Sequence, residues 1–127
     1  MQDLLIDLDN TVYPEDSNIF AQIDLKMKSF IAKNLNVSLD EAFKIQKKYF
    51  INNGTTLRGL MLYHNVKPKE FLNYVHDIDL TSIKKNKELS DELKKYNGKK
   101  IIFTNGSDEH AKNVLNKIGL DKTIDHI

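Results

Sequence analysis

The chain has 127 residues, with 19 Lys+Arg against 18 Asp+Glu for a net charge of +1, 40% hydrophobic residues and no cysteine. This composition fits a globular domain and excludes disulfides, thiolate zinc sites and a cysteine nucleophile. It provides no broad field for gripping nucleic acid or an anionic membrane, so neither is expected as a partner and any phosphate contact must be local. Met1-Gln2-Asp3 runs directly into an apolar stretch broken by Asp7, which predicts no cleaved leader, and no apolar run approaches the roughly 18 residues of a membrane span. The cytoplasm is the expected compartment.

In chain order, Leu4-Leu5-Ile6 predicts a short buried strand whose carboxyl end carries Asp7 and Asp9. Ile19, Phe20, Ile23, Met27, Phe30 and Ile31 recur at helical spacing after Asp16-Ser17-Asn18 as candidate caps. Ser38 with Glu41 is a capping-box signature for a helix with Ala42, Ile45, Tyr49 and Phe50 on its apolar face, stopped by Asn52-Asn53-Gly54. Leu57, Leu60 and Met61 predict a third helix, and Pro68 opens a fourth with Phe71, Leu72 and Val75. A fifth is expected over about Asn86 to Tyr96, a second strand over Lys100 to Thr104, and a last helix over about Asp108 to Ile118, ended by Gly119. Ile124 to Ile127 reads as a third strand beginning. The expected fold class is α/β: a parallel, Rossmann-like core formed by residues 1–14 and 81–127, with residues 15–80 inserted as a helical cap.

The chemistry is expected at the strand ends, where open α/β sheets hold their ligands. Asp7 and Asp9 flank one residue facing the sheet, so both carboxylates can turn toward a single site. One can serve as nucleophile or metal ligand while the other moves protons. Thr104, Asn105, Gly106 and Ser107 lie between a strand and a helix, and offer a hydroxyl, an amide and backbone N–H groups to an oxyanion. The same residues also fit plain strand-to-helix capping by Ser107 or Asp108. Eighteen of the 19 basic residues are lysine, and Arg58 is the single arginine. Arginine in a lysine-biased chain suits a position that needs a planar fork, so Arg58 is a candidate for contacting substrate or fixing the cap.

Asp7-Leu8-Asp9-Asn10-Thr11, extended by Val12-Tyr13-Pro14, resembles the DxDxT motif of the haloacid dehalogenase (HAD) superfamily of phosphohydrolases. Ile101 to Gly106 resembles its second motif. The stretch from Asn53 to Leu60, with Tyr74-Val75-His76 and His110-Ala111, is similar to the pyrimidine 5'-nucleotidase-like branch. The resemblance implies hydrolysis of a small phosphomonoester, a nucleoside monophosphate, through an aspartyl phosphate on Asp7, with Asp9 as the proton donor. It also implies Thr104, Asn105 and Gly106 at the phosphate, and Mg²⁺ held by the Asp7 carboxylate and the Asp9 carbonyl.

The chain departs from that pattern where the later motifs would stand. The lysine and the acidic pair that the family carries on later strands have no counterpart here, and Lys117 and Lys122 match neither position nor context. The expectation is therefore an incomplete HAD core. Such a core belongs to a truncated phosphatase, or to a remnant or half of a split phosphatase acting as an interaction module with a companion chain. A phosphoacceptor receiver domain, which also uses an acid pair and Mg²⁺, needs a strand about every 25 residues, and residues 15–95 predict helices instead.

Overall fold

The computed structural model describes residues 2–8, 12, 13 and 18–127. The order of elements is β1 (Leu4–Asp7), α1 (Ile19–Leu35), α2 (Leu39–Asn53), α3 (Thr56–His64), α4 (Pro68–Val75), α5 (Lys87–Lys94), β2 (Lys100–Phe103) and α6 (Asp108–Ile118). The fold is mixed α/β and mostly helical, with a two-stranded parallel sheet. Among the described residues no helix is long and apolar enough to cross a membrane. The chain divides into two compact units, one formed by Met1–Phe20 with Asp79–Ile127 and the other by Ala21–Ile78.

In the first unit β1 and β2 pair in register, Leu4 with Lys100 through Asp7 with Phe103. The pairing continues one residue further, where the Leu8 N–H donates to the Phe103 carbonyl at 3.3 Å. At the other end the Lys99 N–H donates to Asp3 Oδ1, and the Tyr96 hydroxyl donates to the Gln2 carbonyl. Gly98 lies so close to that carbonyl that a Cβ there would collide with it, so the approach to β1 depends on a bare backbone. Helix α6 supplies the core with Ala111, Val114, Leu115 and Ile118, all buried together with Ile102, Leu8 and Leu120. It ends at Gly119, whose φ of 90° favours glycine.

The opposite face of the sheet is open: Leu5 is 69% exposed and its neighbour across the face, Phe103, 55%. Parallel sheets are ordinarily covered on both sides, so this apolar face stands out. The third strand anticipated at Ile124 to Ile127 is reduced to one parallel bridge, Ile101 with His126, in which the Ile102 N–H donates to the His126 carbonyl at 2.8 Å.

The second unit is helical and packs around Ile23, Phe30, Ile31, Ala42, Tyr49, Leu60, Phe71 and Val75. The rings of Phe30 and Phe71 meet edge to face with centroids 5.2 Å apart. Helix α2 begins where Ser38 accepts the Glu41 N–H and ends at Gly54, with φ 88°. Thr55 then caps α3, and the buried Thr56 hydroxyl donates to the Gln46 carbonyl at 3.1 Å, tying the third helix to the second. The Tyr49 ring lies against Gly59 with no room for a Cβ between them. Phe50, expected on the apolar face of α2, is instead 60% exposed, because the face is set by Ala42, Gln46 and Tyr49 at successive turns and Phe50 falls beside it.

Candidate functional site

The carboxyl ends of β1 and β2 are neighbours because the two strands are parallel and in register. Asp7 closes β1 opposite Phe103, and Thr104 is the first residue after β2. Adjacent strands run about 4.8 Å apart, so the Asp7 backbone and the start of the Thr104 loop leave the sheet side by side. Asp7 is exposed, whereas Leu8 after it is fully buried and anchors the chain as it leaves the strand. Asp9, the second acid of the motif, lies outside the described residues, as do Asn10, Thr11 and Pro14.

The loop after β2 is organised by its own hydroxyls. Thr104 Oγ1 accepts the Gly106 N–H at 3.0 Å, folding the loop back on itself. In that bond Thr104 Oγ1 is the acceptor and keeps an O–H of its own, while the Gly106 amide is committed to the turn. Ser107 is the N-cap of α6 and accepts the His110 N–H at 3.1 Å, so the capping role anticipated for Ser107 or Asp108 falls to Ser107. Asn105 is exposed between these two turns. Helix α6 directs its positive dipole end at this loop, where Asp108 and Glu109 in the first turn partly oppose it for an anionic ligand.

Among the described residues no three His, Asp or Glu side chains gather as a metal site. Asp7 offers an exposed hard oxygen donor, the ligand type that Mg²⁺ takes in ones and twos while keeping most of its water.

Arg58 stands in the first turn of α3, exposed, with its backbone N–H donated to Thr55 Oγ1 at 3.1 Å. Its neighbours have structural work: Gly54 ends α2, Thr55 caps α3, Thr56 ties α3 to α2, and Gly59 admits the Tyr49 ring. Among the described residues the Arg58 side chain makes no ion pair.

No protein-family model matches the chain. The polar cluster that sequence reading passes over is in the second unit, where Ser29 and Lys33 of α1 meet the Tyr74 hydroxyl of α4. Its one trace in the sequence is the spacing of Lys26, Ser29 and Lys33, which places all three on one helical face.

Proposed function

We propose that the chain is a HAD-like phosphomonoester hydrolase in which Asp7 is the nucleophile, acting on a small phosphorylated substrate of the nucleoside monophosphate class. The observation that carries this reading is the side-by-side exit of Asp7 and Thr104 from neighbouring parallel strands. A nucleophilic carboxylate must face a bound electrophile, and the Thr104 hydroxyl at the next strand end is a donor to a phosphoryl oxygen.

In this mechanism an Asp7 oxygen attacks phosphorus and the bond to the ester oxygen breaks. The departing alkoxide takes the proton of Asp9, leaving an aspartyl phosphate. Asp9, now a carboxylate, takes a proton from water as that water attacks phosphorus, which releases inorganic phosphate and restores Asp7. Mg²⁺ held by the Asp7 carboxylate and the Asp9 carbonyl would screen the repulsion between carboxylate and phosphate. Arg58 is assigned to the substrate or to fixing the cap, on its planar fork and its lack of an ion pair among the described residues.

The test is phosphate release from nucleoside monophosphates by the 127-residue chain in Mg²⁺. Turnover is expected to be slow, because the lysine and acidic pair of the resembled family are not among these residues, and to be abolished in Asp7→Asn. Release undiminished in Asp7→Asn contradicts the assignment.

One observation favours a second reading. The open sheet face at Leu5 and Phe103, together with the edge of β1 that pairs with no strand among the described residues, suits a companion chain that completes the core. On this reading the chain is a remnant or half of a split phosphatase and works by association.

A further inference from the structure

Helix α1 carries three lysines and one acid, Asp24. That acid is already engaged, with Lys28 Nζ at 3.4 Å from its Oδ2 and Gln46 Nε2 donating to its Oδ1 at 2.7 Å. Lys26 and Lys33 are left without a carboxylate partner among the described residues. Both converge on one ring: their ammonium groups lie 5.0 Å and 5.3 Å from the centroid of Tyr74 on α4. Lys33 Nζ also donates to the Tyr74 hydroxyl at 3.2 Å, and that hydroxyl is 2.8 Å from Ser29 Oγ.

Two ammonium groups around one phenol raise the local positive potential, which the ring contacts do not neutralise. The donors also exceed their partners. An ammonium has three N–H groups, and of the six on Lys26 and Lys33 one is taken by a described residue, Tyr74. Ser29 and Tyr74 add two hydroxyls between the cations, and the aromatic pair Phe30 and Tyr74, with centroids 5.5 Å apart, holds the phenol in place. Two cations with no carboxylate partner among the described residues, beside two hydrogen-bonded hydroxyls, suit a compact multivalent oxyanion.

We propose that Lys26, Ser29, Lys33 and Tyr74 form a binding site in the helical unit for a phosphate group of a small phosphorylated molecule. The ligand oxygens take the spare ammonium protons of Lys26 and Lys33, and a hydroxyl of the Ser29 and Tyr74 pair donates to one of them. The site stands apart from Asp7 in the chain and does not rest on the hydrolase reading. Because the ligand competes for the Lys33 proton held by Tyr74, binding also returns the Tyr74 phenol toward its ordinary ionisation.

The test uses the full chain, with inorganic phosphate and inorganic diphosphate titrated at fixed ionic strength and followed by calorimetry and by the Tyr74 ring resonances. Saturable binding is expected, with diphosphate tighter than phosphate. Lys33→Met should weaken it about tenfold and Tyr74→Phe by a smaller factor. Lys33→Arg keeps the charge and should retain most of the affinity, which separates loss of the site from loss of the fold. Lys47, 5.4 Å from the ring of Phe43, a side chain that carries no hydroxyl, is the control, and Lys47→Met should bind as the parent does. Equal weakening in the Lys33→Met and Lys47→Met variants, or no saturable shift at Tyr74, overturns the proposal. Loss of all binding in Asp7→Asn overturns it as well, by moving the phosphate to the strand ends.

Discussion

Asp7 and Phe103 are register partners across the parallel pair, so the carboxylate that ends β1 leaves the sheet level with the residue before Thr104. Their shared position has two consequences. It sets an acid next to a hydroxyl-bearing loop, and it leaves the Phe103 ring exposed on the same open face as Leu5.

Thr104 has two separable duties, the turn bond to the Gly106 N–H and the proposed donation to phosphate. Thr104→Val keeps the shape and removes both. The folded state should lose about 0.5 to 1.5 kcal/mol for the turn hydrogen bond, and Asp7-dependent phosphate release should fall about a hundredfold or more. Chemical denaturation and a phosphate assay on one preparation check both; an unchanged rate would remove Thr104 from the site.

Ser107→Ala separates a structural hydroxyl from a chemical one. Ser107 caps α6, so stability should drop by about 1 kcal/mol while phosphate release by the folded fraction stays unchanged. A large kinetic effect at full stability would return Ser107 to the oxyanion site.

At Gly59 two effects oppose each other. In a helix interior alanine outranks glycine by about 1 kcal/mol, but a Cβ at Gly59 would collide with the root of the Tyr49 side chain, where it cannot swing aside. Overpacking of this kind costs about 1 to 3 kcal/mol, so Gly59→Ala should be destabilised on balance. A raised thermal midpoint would show that the ring yields.

Tyr49 and Tyr74 of the helical unit should titrate on opposite sides of the ordinary value. Burial, with a smaller contribution from the charge of Tyr63, pushes Tyr49 up; hydrogen bonds from Ser29 and then Lys33 bring Tyr74 down. A raised phenol pKa favours the protonated fold, so the Tyr49 contribution is present below about pH 10 and lost as pH rises through its folded value. The depressed Tyr74 pKa contributes above about pH 10 and loses that contribution as pH falls through its folded value. Difference absorbance at 295 nm should lose its earliest component in Tyr74→Phe and its latest in Tyr49→Phe; the reverse order would contradict the packing described for both rings.

Local signals in the sequence translated well into structure. Ser38, Gly54, Pro68, Ser107 and Gly119 each act within one turn of the chain, and each stands at the helix end its chemistry suggests. Contacts formed at a distance were not legible. The Ser29, Lys33 and Tyr74 cluster joins residues more than forty positions apart, and the shared helical face of Lys26, Ser29 and Lys33 does not reveal Tyr74 as their partner. The third strand, expected to begin over Ile124 to Ile127, holds only the His126 bridge among the described residues, because pairing is decided by the neighbouring backbone as well as by composition. At the candidate site, Asp7 and the Thr104 loop could be chosen from their strand-end positions, but their register could not.

The most direct test of the central claim is to trap the intermediate. The chain is incubated with a phosphomonoester and Mg²⁺, quenched, reduced with borohydride and sequenced by mass spectrometry. An aspartyl phosphate on Asp7 predicts conversion of that one residue to homoserine, dependent on substrate and absent from Asp7→Asn. Phosphate release without any modification at Asp7, or modification at a different acid, would contradict the account.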